Sequence, residues 1–139
     1  MSFLSGLFGR KKQTQEQVLH IEGEGDYDLD VVGESHYQDA LLSICGRRTA
    51  ESQRKQVVAR LVHEDTNPHD NQAIRVEIGG KTVGYLSREE ARSLRQELVK
   101  LGYPGITVEC DAIIVGGWDK GAGDTGHFGV RLDLPVDDD

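Results

Sequence analysis

The chain has 139 residues with 24 acidic and 16 basic side chains, a formal net charge of -8 and 17 glycines. That length fits one domain with tails and leaves no room for a catalytic domain beside a separate binding domain. No stretch nears the roughly 18 apolar residues that cross a bilayer, and no secretory leader pattern opens the chain, so a cytoplasmic protein is expected.

Residues 1–12 place Phe3, Leu4, Leu7 and Phe8 on one side of a short amphipathic segment that ends in Arg10, Lys11 and Lys12. A helix this short is marginal in water, so a frayed tail is expected. Residues 14–28 are polar, acidic and glycine-containing and read as a linker. Leu29, Val31 and Val32 form a short apolar run ending at Gly33, the pattern of a strand closed by a turn. Tyr37, Ala40, Leu41, Ile44 and Cys45 then recur at helical spacing, with Gly46 placed to cap the helix. Residues 47–55 read as a loop, and residues 56–63 (QVVARLVH) as a strand buried on both faces.

Residues 64–72 (EDTNPHDNQ) form a turn cluster. Residues 73–86 read as a hairpin about Gly79 and Gly80, because glycine tolerates the positive φ of tight hairpin turns. Ser87 and Glu90 have capping-box spacing and open a helix that should run to Lys100 or Leu101. Residues 106–115 are a further strand, 116–127 a glycine-rich loop and 128–134 a closing strand. The expected fold is mainly β (α+β): a small OB-like or SH3-like β-barrel with two short helices. The division is 1–28 tail and acidic linker, 29–135 barrel, and 136–139 acidic tail.

Bond-breaking chemistry finds little support. Residues 116–123 (GGWDKGAG) match neither a phosphate loop nor GxGxxG before a helix, and Ser35 and Ser43 lie in no GxSxG elbow. The five histidines lack paired metal spacing, and Cys45 and Cys110 have no CxxC partner. No catalytic residue, cofactor or metal is therefore expected, and the cysteines read as small buried hydrophobes.

Binding has better material. The acidity is concentrated in the flanks: between residues 31 and 105 the chain carries 10 acids and 11 bases, a local charge of +1. There Tyr37, His69 and Tyr85 are interleaved with Arg47, Arg48, Lys55, Arg75, Lys81 and Arg88, and Trp118 and Phe128 follow. Aromatic faces that stack on bases, mixed with cations that neutralise phosphates, are the chemistry of single-stranded nucleic-acid binding.

Three blocks, VVGESHY at 31–37, NPHDNQAIRV at 67–76 and GKTVGYL at 80–86, resemble the HIRAN domain family in order and spacing. That module stands at the N-terminus of certain DNA-repair helicase-like ATPases and also alone in bacteria. The resemblance implies a modified OB-like barrel that grips the 3′-hydroxyl end of single-stranded DNA. It would place His36 and Tyr37 at a stacking surface, His69 and Asp70 by the terminal nucleotide, Tyr85 and Arg88 beside the backbone, and Phe128 under a base. A carboxylate beside a terminal hydroxyl accepts the hydrogen bond that only a free end offers. His36 and His69 stand where DNA-binding members carry tyrosine, and Ser35 where they carry a base. Smaller rings and one cation fewer imply weaker, less salt-sensitive binding. The expectation is a non-catalytic module for single-stranded DNA 3′ ends or damaged and stalled DNA. Its alternative is a protein-interaction adaptor that uses the acidic flanks and the 3–8 segment.

Overall fold

The structure, a computed structural model, describes residues 17–135. The amphipathic segment at 1–12 and the acidic tail at 136–139 lie outside the described residues. Seven strands, β1 (Val18–His20), β2 (Leu29–Asp30), β3 (Gln53–Glu64), β4 (Ala73–Ile78), β5 (Lys81–Tyr85), β6 (Thr107–Gly116) and β7 (Phe128–Leu132), make one sheet. Its order is β2-β7-β6-β3-β4-β5, with β1 pairing β6 in parallel and the other pairs antiparallel. Among the described residues two helices, α1 (Gln38–Cys45) and α2 (Arg88–Leu101), complete a mainly β, barrel-like domain, as the sequence led one to expect.

The sheet curls because β3 and β6 are long and pair with different neighbours along their length. β3 lies on β6 from Gln53 to Leu61 and on β4 from Ala59 to Glu64. The two ends of the strand order meet at one seam. Val31 donates its N–H to Val130 of β7 at 3.1 Å, and Val32 and Tyr85 exchange N–H···O bonds of 2.8 and 2.9 Å. Gly84 permits this approach: a Cβ there would overlap Val31 and lie 2.7 Å from the Val32 carbonyl oxygen.

The hairpin turn sits at Gly79 and Gly80, with φ of 60° and 80°. Ser87 caps α2 as its spacing predicts: its hydroxyl oxygen accepts the Glu90 N–H at 3.1 Å while its O–H donates to the Glu90 carboxylate at 3.0 Å. α1 follows a 3-10 turn (Glu34–His36) and ends at Gly46. Leu41, Leu61, Ile74, Leu98, Ile114 and Phe128 belong to one core cluster. Both cysteines are free thiols; Cys110 is buried, and burial pushes its thiol up to about 12, while Cys45 is half-buried.

Three readings need correction. Strand β3 begins at Gln53, inside the stretch read as a loop. It is covered on one face only: Ala59 and Leu61 are fully buried, whereas Val58 is 49% exposed and Arg60 is exposed. Within the stretch read as a linker, Val18–His20 forms β1 against Thr107, Val108 and Glu109. The chain beyond it is tied down by the buried Asp133, whose carboxylate accepts the Gly25 N–H at 3.0 Å and the Tyr27 N–H at 3.4 Å. Among the described residues no helix is long and apolar enough to cross a membrane.

Candidate nucleic-acid interface

The turn between β3 and β4 is built by its own polar side chains. Asn67 accepts the His69 and Asp70 N–H groups at 2.8 and 3.3 Å, and Asp70 accepts the Gln72 N–H at 3.0 Å. Such Asx contacts explain why Asn and Asp stand at these positions. Arg95 of α2 then ties the turn to the helix, donating to the carbonyls of Gln72 and Ala73 and pairing with Asp65 at 3.0 Å.

Glu64, at the end of β3, joins the turn to the barrel seam. Its carboxylate accepts the Asn67 side-chain amide at 2.9 Å, Arg75 at 2.9 Å and the Tyr85 hydroxyl at 3.0 Å. Burial opposes ionisation of Glu64, but the Arg75, Asn67 and Tyr85 hydrogen bonds outweigh it and hold the carboxyl below its ordinary value. Burial and then the hydrogen bond to Glu64 push the Tyr85 phenol up to about 12, so it remains a donor. The Tyr37 ring, at the start of α1, lies 6.5 Å from the Tyr85 ring at 47°.

Asp70 faces α2. Arg92 holds it with two prongs, Nη2 to Oδ1 at 3.1 Å and Nη1 to Oδ2 at 3.2 Å, and Arg88 Nε reaches Oδ2 at 3.4 Å. The Arg92 hydrogen bonds, then the Gln72 N–H and Arg88, lower the carboxyl to about 2. Asp70 is therefore ionised at any physiological pH.

Tyr37, Asp70, Tyr85 and Arg88 are thus linked through one hydrogen-bonded and aromatic network that runs from the seam through Glu64 and the turn to α2, which His69 joins through its backbone N–H. His36 is exposed on the 3-10 turn beside Tyr37, and His69 is exposed on the turn. Phe128 stands apart and departs from its expected place under a base. It is 2% exposed in the core, its N–H and carbonyl are both bonded to the Gln38 side chain, and Arg48 lies 5.2 Å over its ring.

A cleft of about 520 Å³ opens between the 3-10 turn and the β6–β7 end, with Trp118, His127 and Arg131 on its walls. Of the seven expected site residues it includes Phe128 alone. Among the described residues no group of three or more His, Cys, Asp or Glu side chains is placed to hold a metal.

Sequence reasoning missed Glu64 and Arg92. The available signal for Arg92 was its i,i+4 spacing from Arg88, which puts both on one helix face. That spacing gains meaning only once the turn is known to fold against α2.

The sequence model of the HIRAN domain family matches residues 24–108, a span holding every member of the network and ending before Phe128. No curated protein and no solved structure matches the chain. With the match extending over more than half of its length, this chain belongs to the HIRAN domain family, a family of DNA-binding modules.

Proposed function

We propose that the chain binds the 3′ end of single-stranded DNA, without catalysis, on the face where Tyr37, Tyr85, His69, Asp70 and Arg88 converge. The observation that supports this reading is the network itself: an aromatic pair, a hydrogen-bonded turn and two helix-borne arginines are joined through Glu64 and Asp70. In it His36, Tyr37 and His69 provide stacking surfaces, each worth about 1–3 kcal/mol per base. Arg88, 73% exposed, contacts the backbone, and the turn at Asp70 stops the strand. The mostly closed polar network favours recognition by a preformed surface. Few phosphate contacts imply modest, micromolar-scale affinity with a shallow salt dependence.

The test is competition, followed by fluorescence anisotropy at low salt, between linear single-stranded DNA and a covalently closed circle of the same sequence. The expected result is displacement of a labelled strand by the linear form and not by the circle. Equal competition per nucleotide would remove end recognition, and no binding of the labelled strand would remove the nucleic-acid reading.

A further inference from the structure

Strand β3 is twelve residues long, and its two neighbours cover it unequally. β6 pairs with Gln53 to Leu61 and β4 only with Ala59 to Glu64, so from Gln53 to Val58 one edge of β3 has no strand beside it. The direction of the backbone groups there follows from alternation along a strand. On β6 the carbonyls of Glu109 and Asp111 accept the Ile21 and Asp133 N–H groups, each at 2.9 Å, on the side away from β3. The even-numbered residues of β6 therefore face β3, and the register sets Gln53, Lys55 and Val57 opposite them. Arg54, Gln56 and Val58 turn their N–H and C=O groups to the open edge. Among the described residues no other group bonds to these, and all three side chains are exposed.

A row of unpaired donors and acceptors at strand spacing is completed by another extended polypeptide. Charge selects which one. Residues 53–58 (QRKQVV) carry Arg54 and Lys55 and no acid. Arg47, whose carbonyl accepts the Gln53 side-chain amide, and Lys81, paired with Ile78 beyond Ala59, stand exposed near the two ends. Among the described residues neither Arg54 nor Lys55 forms an ion pair; the Arg54 guanidinium lies 5.9 Å from the Tyr27 ring instead. A second copy laid antiparallel about Gln56 would make the two Lys55 side chains diagonal neighbours across the pair, where like charges repel.

We infer that the open edge of β3 docks an acidic, extended segment of a partner protein, which adds a strand antiparallel to residues 53–58. Its carboxylates meet Arg54 and Lys55, and its apolar side chains meet Val57 and Val58. Val58 is separated from Glu64 by about 20 Å of strand, so this edge and the DNA face are occupied independently. The inference does not depend on the end-binding reading.

The experiment measures, by anisotropy, the binding of a labelled, capped hexapeptide, Val-Val-Thr-Glu-Glu-Thr, and of Val-Val-Thr-Lys-Lys-Thr. Both are titrated with the unaltered chain and with a variant carrying Arg54→Gln and Lys55→Gln, checked by thermal melting. The acidic peptide should bind at least tenfold more tightly than the basic one. The folded variant should lose about tenfold, the scale of two cross-strand charge pairs. Two further acidic peptides carry N-methyl groups on alternate amides in opposite phase. Only the phase that faces β3 should abolish binding, an effect that charge attraction alone would not produce. A single-stranded hexanucleotide should leave the peptide in place. No binding of the acidic peptide, equal binding of the two charge forms, or no loss in the folded variant would overturn the inference. So would loss from both methylated phases or from neither. Displacement by the hexanucleotide would assign the edge to nucleic acid, and a dimer that excludes the peptide would assign it to a second copy; either result overturns the inference.

Discussion

The Tyr85 hydroxyl lies 3.0 Å from each carboxylate oxygen of Glu64, twenty-one residues earlier in the chain. This contact links two parts of the site that come from separate sequence blocks. Tyr85 also closes the barrel seam with Val32 and meets the Tyr37 ring, while Glu64 holds Asn67, the residue that shapes the turn carrying His69 and Asp70. The Tyr37–Tyr85 ring pair and the turn carrying His69 and Asp70 are therefore tied to each other by one carboxylate.

Glu64→Ala should cost about 2–3 kcal/mol of stability at neutral pH, because it strands Arg75, Tyr85 and Asn67 donors that are only partly exposed. Tyr85→Phe, which loses one of these bonds and keeps the ring, should cost about 1 kcal/mol. The folded-state pKa of Glu64 lies below its ordinary value of 4.5. Its contribution is therefore complete above 4.5 and lost as pH falls through the depressed native value. Denaturant melts at pH 7 and pH 3 should show the Glu64→Ala penalty shrinking at the lower pH.

Phe128→Leu should destabilise the domain by about 1–2 kcal/mol through a smaller core side chain. It should leave DNA affinity within about twofold, because the ring is 2% exposed. Tyr37→Ala should reverse the pattern, lowering affinity by about tenfold or more through lost stacking. A tenfold loss of binding on Phe128→Leu with an intact fold would return Phe128 to the binding surface.

Asp133→Ala should release the segment around residues 23–28. Asp133 is 6% exposed and accepts the Gly25 and Tyr27 N–H groups, and Tyr27 holds a φ of 50°, unusual for a tyrosine. A cost of about 1–3 kcal/mol is expected. Hydrogen exchange should speed up at the Gly25 and Tyr27 amides, with DNA affinity unchanged.

Local chemistry made much of this fold legible. The Gly79-Gly80 turn, the Ser87 cap and the Asn67–Asp70 turn each declare themselves within a few residues, and the structure places all three where the sequence points. What could not be read depends on partners far along the chain. Strand β1 is three residues long, and its partners lie 89 residues away, so no periodicity marks it. Asp133 reads as one more acid near an acidic tail until Gly25 and Tyr27 are folded onto it. Phe128 sits in a row of alternating residues, and whether it faced inward or outward depended on the register of β7 against β6, where it lies opposite Gly116. Arg92 is marked in the sequence only by its spacing from Arg88, because its partner Asp70 arrives from the turn.

The most direct test of the binding face is a ¹⁵N-labelled chain titrated by NMR with a single-stranded oligonucleotide of roughly six nucleotides, within the usual span of such sites. Amide shifts are expected at His36, Tyr37, Asn67, His69, Asp70, Tyr85, Arg88 and Arg92, with little change around Trp118 and His127. Shifts confined to the Trp118–His127 cleft, or no shifts with DNA in excess, would contradict the account.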